Sequence, residues 1–218
     1  MAGKQKQRDD LQHLKKELTI IVSNVPLWIW WIIVLLFGAF IFQEVFTELS
    51  TVEYGGLTFT REKIGDLLVY HYSYYIDAQT KYNLYLRGDP SENDVPIAPG
   101  SLLFRNKKVY ISINNTGLAQ CEDAQVAVGQ LVSFLAQNRL MVSSATPDPS
   151  ISLAQNVTLA SCDYFQNKTT LVIQQGEKTQ ITQPIIGCYI LSIQECNDFL
   201  PVVEKVIVES LREARDRN

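Results

Sequence analysis

The stretch KVYISINNTGLAQCEDAQVAVGQLVSFLAQNRLMVSS, residues 108–144, reads as strand, turn, helix and strand. Val109–Ile113 is a short apolar run rich in β-branched and aromatic side chains, which suit a pleated surface. Asn114-Asn115-Thr116-Gly117 supplies the turn chemistry that ends it. A helix is expected from about Glu122 to Gln137. Its Val128, Leu131, Val132 and Leu135 fall at i, i+3, i+4 and i+7 and make one buried stripe. Leu140–Ser144 returns as a strand. This alternation implies an α/β domain with a mixed sheet.

The segments on either side extend the pattern. Pro147–Ala160 is a polar loop or weak helix, and Thr170–Gln174 is a strand. Gln175-Gly176-Glu177 has the composition of a hairpin turn, with Lys178–Thr182 as the returning strand. Cys188–Ile193 is a further strand. A last helix, capped by Asn197 or Asp198 and tolerating Pro201 in its first turn, carries the stripe Phe199, Val203, Val206, Ile207 and Leu211. Toward the N-terminus, Leu67–Ile76 and Tyr82–Leu86 are strand candidates, and 87–100 is turn and loop. Arg87-Gly88-Asp89 matches the integrin-binding tripeptide, but Gly88-Asp89-Pro90 reads as a turn.

Residues 18–43 hold no charge, and Pro26–Phe42 is almost wholly apolar. A bilayer core needs roughly 20 such residues, so a transmembrane helix is expected over 26–43. Lys4, Lys6, Arg8, Lys15 and Lys16 precede it, and Glu44, Glu48 and Glu53 follow. The excess of cations marks the cytoplasmic side. The expected organisation is a cytoplasmic tail at 1–25, a span at 26–43, a juxtamembrane linker at 44–56 and an extracytosolic α/β domain at 57–218. A cleaved signal peptide is the rival, disfavoured by the long apolar core and the lack of a small-residue cleavage pattern. The expected location is thus the cell membrane, single-pass, with the lipid bilayer and other envelope or membrane proteins as partners. A net charge of −4 over 218 residues weighs against nucleic acid, which needs a basic face.

All four cysteines, Cys121, Cys162, Cys188 and Cys196, follow the apolar stretch. An even number in an oxidising compartment suggests two disulfides, with three connectivities open. If strand 170–174, its return and strand 188–193 form a meander, the first and third strands run parallel. That places Cys162 beside Cys188 at one sheet edge. Cys121 and Cys196 each follow a strand and precede a helix, which pairs them at the other edge. A four-cysteine zinc site would show closer ligand pairs. No metal, cofactor or catalytic residue is assigned. His71 lacks a nucleophile or carboxylate partner in the sequence, and no hydrolase or phosphate-loop motif occurs. Asn114, Asn156 and Asn167 head N-x-[ST] sequons and are candidate glycosylation acceptors. Tyr70, Tyr72 and Tyr74 share one face of a strand. They form either a candidate binding surface or the packed side of a half-buried sheet.

Two resemblances follow from these segments. The order strand, helix, strand, weak helix, hairpin, helix over 108–215 resembles a thioredoxin-like fold without its C-x-x-C. VYISINN stands as the central strand, Cys121 near the reactive position and TTLVIQQGEKTQIT as the hairpin. That resemblance implies a thiol–disulfide oxidoreductase using Cys121. Glu122 and Asp123 oppose this by raising the thiol pKa, and no second cysteine lies nearby. The KQKQR…PLWIWW, VYISINNTGLAQCEDAQVAV and CYILSIQECND segments resemble small signal-anchored extracytosolic proteins of small archaeal genomes. This implies a compartment and a class, not an activity. The expected function is a non-catalytic, membrane-anchored binding or assembly module of the cell envelope. The oxidoreductase is the alternative, and an envelope hydrolase is a third option.

Overall fold

The structure is a computed structural model that describes residues 26–98, 102, 104, 106–164 and 168–217, with the side chains of 27 and 39–49 excepted. The expected tail 1–25 and the sequon residue Asn167 lie outside the described residues. The chain divides into two units at Ser50.

The first unit contributes helix α1, Leu27–Ser50. Among the described residues no helix is long and apolar enough to cross a membrane. The transmembrane helix expected over 26–43 is therefore corrected.

The second unit begins with an antiparallel meander, β1 (Thr51–Tyr54), β2 (Leu57–Ile64), β3 (Leu67–Tyr75) and β4 (Lys81–Leu86), in that spatial order. Strand β1 occupies part of the stretch read as a linker. Gly55 and Gly56 both have positive φ, 55° and 76°, so the two-residue loop matches the right-handed twist of a hairpin. Gly65 does the same between β2 and β3.

The remaining strands are β5 (Lys108–Ile113), β6 (Met141–Thr146), β7 (Thr158–Leu159), β8 (Thr169–Gln175), β9 (Gln180–Ile185) and β10 (Cys188–Ile193). They form one sheet in the order β7-β6-β5-β8-β10-β9. All pairs are parallel except β10 with β9. Helices α2 (Ala124–Gln137), α3 (Pro149–Gln155) and α4 (Phe199–Arg215) complete the domain. The mixed α/β character stands, but the hairpin expected at 170–182 does not form. Strand β10 lies between β8 and β9 and pairs with β8 from Cys188↔Thr170 to Ile193↔Gln175. The reason is legible in β9, whose Pro184 cannot donate to a ladder and so favours a sheet edge. The outer side of β9 is covered by a loop, through Ile181 N donating to Pro96 O and Ala98 N to Ile181 O, each 2.8 Å.

One core cluster unites the inner face of the meander, α2, α4 and one face of the six-stranded sheet. Helix α4 is buried on every side from Val202 to Leu211. Its apolar stripe, Phe199, Val203, Val206 and Ile207, joins that core. Its polar side is covered as well, so it is not the half-solvated helix that its stripe suggests. A reciprocal cap starts the preceding turn, with Glu195 N donating to Asp198 Oδ2 at 3.2 Å.

Candidate functional site

The chain leaves β5 toward β6 on one side, and leaves β8 past the position of β10 toward β9 on the other. These neighbours therefore mark a topological switch point, where diverging connections open a crevice beyond the carboxyl ends of the strands. The local sequence builds that crevice. Asn114 N donates to Ile173 O at 2.9 Å, which carries the β5–β8 ladder to its end. The Asn114 side chain then accepts from Thr116 N at 3.1 Å and turns the backbone away. Gly117 follows with φ 77°, and the Gln175 side chain from the end of β8 occupies the space where a Cβ would stand. Leu118 and Ala119 return toward Asn115 O, and Cys121 N donates to Leu118 O at 3.1 Å.

The result is a cleft of about 560 Å³ between this loop, the first turns of α2 and the start of α4. Its apolar wall includes Ile113, Leu118, Val128 and Phe199, and Asn115 and Gln125 add carboxamides. Among the described residues no titratable side chain lines it. Cys121 belongs to the wall and is bonded to Cys196, with Cα atoms 5.0 Å apart. Cys121 is buried and Cys196 is exposed. The second disulfide, Cys162–Cys188, spans 5.5 Å between Cα atoms and ties the loop before β8 to the start of β10. The four cysteines thus form the two expected pairs, although β8 and β10 are adjacent and not the ends of a meander, and β5 and β10 lie on either side of β8.

A second cluster lies on the polar side of α4. Lys205 Nζ donates to Tyr54 Oη at 2.8 Å and to Asn93 O at 2.7 Å, and Tyr54 Oη donates to Glu209 at 2.6 Å. Burial, then the hydrogen bond to Glu209, push the Tyr54 hydroxyl up to about 12. Burial pulls the Lys205 ammonium down, against the pull of Glu209. Glu204 accepts from Arg87 N at 2.6 Å and Gly88 N at 3.0 Å, while burial raises its carboxyl above the usual range. These groups satisfy one another within the fold. They fasten β1 and the loop after β4 onto α4; Lys205 and Glu209 also line a cavity of about 380 Å³, and Glu204 one of about 590 Å³.

The other sequence candidates fall elsewhere. The tyrosine row faces inward. Tyr70 is 6% exposed, and Tyr72 and Tyr74 pack against the core, with Tyr74 Oη accepting from Asn138 Nδ2 at 2.7 Å. The exposed binding surface considered for Tyr70, Tyr72 and Tyr74 is thereby corrected: the meander turns this face onto the helices. His71 lies on the opposite face, stacked on Tyr85 with both ring nitrogens engaged, Nδ1 with Glu62 at 2.7 Å and Nε2 with Asn83 at 3.1 Å. Arg87-Gly88-Asp89 is a turn whose amides clamp Glu204, and Asp89 pairs with Arg61 at 3.5 Å. Asn114 is half-buried at the cleft, and Asn156 is exposed as the left-handed cap of α3. The sequence reading missed the cleft, because its position depends on which strands become neighbours. Gly117 and the mid-helix Gly129 are the only local signals of it.

Comparison with protein-family models, with known proteins and with solved structures gives no match to this chain.

Proposed function

We propose that the chain is an extracytosolic binding or assembly module, and that the switch-point cleft is its binding site. The observation that carries this reading is the coincidence of a cleft of about 560 Å³ with the switch point of the sheet. Clefts of this size accommodate small ligands, and this one is walled by a rigid strand end and two helix starts. The extracytosolic part of the reading is supported by the pairing of all four cysteines, since such bonds persist in oxidising compartments. Other envelope proteins are its proposed partners.

A second reading, a thiol–disulfide oxidoreductase, is favoured by one feature. The exposed Cys196 stands just before α4, where an incoming thiolate could reach it and release Cys121. The hairpin that the thioredoxin-like resemblance draws on is absent, and the partner sulfur is buried. An insulin-reduction assay with dithiothreitol separates the two. Background rates from the purified chain, with two disulfide-linked peptides and no free thiol on non-reducing mapping, support the binding module. Turnover that disappears in Cys121→Ser supports the enzyme.

A further inference from the structure

We infer that the cleft takes a small uncharged ligand with an apolar body and a carbonyl or amide group. The inference rests on the reading of the cleft as the binding site. Three observations carry it. First, the wall holds no charged group among the described residues, so a charged ligand would lose its hydration without gaining a partner. Second, Glu122 and Asp123, between Cys121 and Ala124 on the lining loop, are exposed and acidic, and Asp123 pairs with Arg87 at 3.9 Å. Glu122 disfavours an anion, the Arg87–Asp123 pair adds no net charge, and the described wall offers a cation no carboxylate to pair with. Third, Asn115 and Gln125 each present both a donor and an acceptor, which suits a neutral polar group at one end of an apolar body.

Gly129 adds a handle. It sits inside α2, where glycine weakens a helix, and close packing would ordinarily explain it. A Cβ built there meets nothing within 4 Å. The absent side chain therefore leaves open space beside the cleft, and a larger residue would stand in it.

The test is photo-crosslinking of the full chain with benzophenone, 4-benzoylbenzoate and (4-benzoylbenzyl)trimethylammonium, followed by peptide mapping. Benzophenone should label peptides covering 113–129 and 199, and the two charged probes should give less than a tenth of that yield. Gly129→Leu should lower the benzophenone adducts there at least tenfold, as should Ala119→Leu on the opposite wall. Met141→Gln, at an exposed position outside the cleft, should keep them. Equal labelling by either charged probe would overturn the ligand class and leave the cleft reading standing. No labelling at these peptides by any probe, or labelling indifferent to both leucine variants, would overturn the cleft reading and the inference with it.

Discussion

Helix α4 is held by different physics on its two sides. Phe199, Val203, Val206 and Ile207 meet the core shared with α2 and the six-stranded sheet, where burial of apolar surface does the work. Glu204, Lys205 and Glu209 meet the meander and its following loop through hydrogen bonds, each charge matched by a partner. Apolar contact is non-directional and tolerates many partners. A buried carboxylate has to find particular N–H groups, and Glu204 finds those of Arg87 and Gly88. The apolar side therefore fixes that α4 packs, and the polar side fixes how the meander is placed over it.

The largest effect should come from the apolar side. Ile207→Ala removes a fully buried side chain and should cost about 4 kcal/mol, as such truncations typically cost about 2–5, read by urea unfolding. A loss below about 1 kcal/mol would show that α4 is not the centre of the core. Next, Glu204→Ala strands the Arg87 and Gly88 amides and should cost about 2 kcal/mol. Hydrogen exchange would sharpen the comparison: these two amides should lose protection while the strands of the six-stranded sheet keep theirs. A uniform loss would mean that the two sides do not act separately.

The smallest effect concerns pH. The carboxyl of Glu204 is raised above 4.5, chiefly by burial, so the fold favours its protonated form. The stability tied to that proton is fully present below the unfolded value and is lost as pH rises through the raised folded value. The stability of the wild type relative to Glu204→Gln should therefore grow as pH falls from 7 to 4. A difference that is flat or shrinks would mean that the Arg87 and Gly88 amides outweigh burial.

The sequence made the same division between periodic and specific features. The strands at 109–113 and 188–193 and the helices at 124–137 and 199–215 were readable, because a stripe at 3.6 or an apolar run reports burial directly. Strand β2 was missed, since its second half, Arg61-Glu62-Lys63, is charged and hides the alternation of Leu57 and Phe59. Its turn signals were present in Gly55-Gly56 and Gly65-Asp66. The tyrosine row at 70, 72 and 74 was legible as one face. Which side that face would turn to was not, because this depends on a helix about 130 residues further on. The strand order was inverted at one place, where the apolar β10 outcompeted the proline-bearing β9 for the interior. The uncharged run at 18–43 supported a span by composition alone, and it fails the test of length and apolarity among the described residues. The cleft has no signature in any single segment. It exists because β5 and β8 are neighbours whose connections part.

The central position of α4 also sets an order of events during synthesis. Among the described elements it is the last to leave the ribosome, yet the inner face of the meander and one face of the six-stranded sheet both share their core with it. Until it arrives, strands made more than a hundred residues earlier expose apolar surface, and Cys121 has no Cys196 to join. Folding of this domain thus waits for α4 and is dominated by contacts distant in sequence, which makes it slow and leaves the nascent chain open to misassociation. A chaperone that shields the meander until α4 docks would raise the yield of folded protein without touching the finished structure.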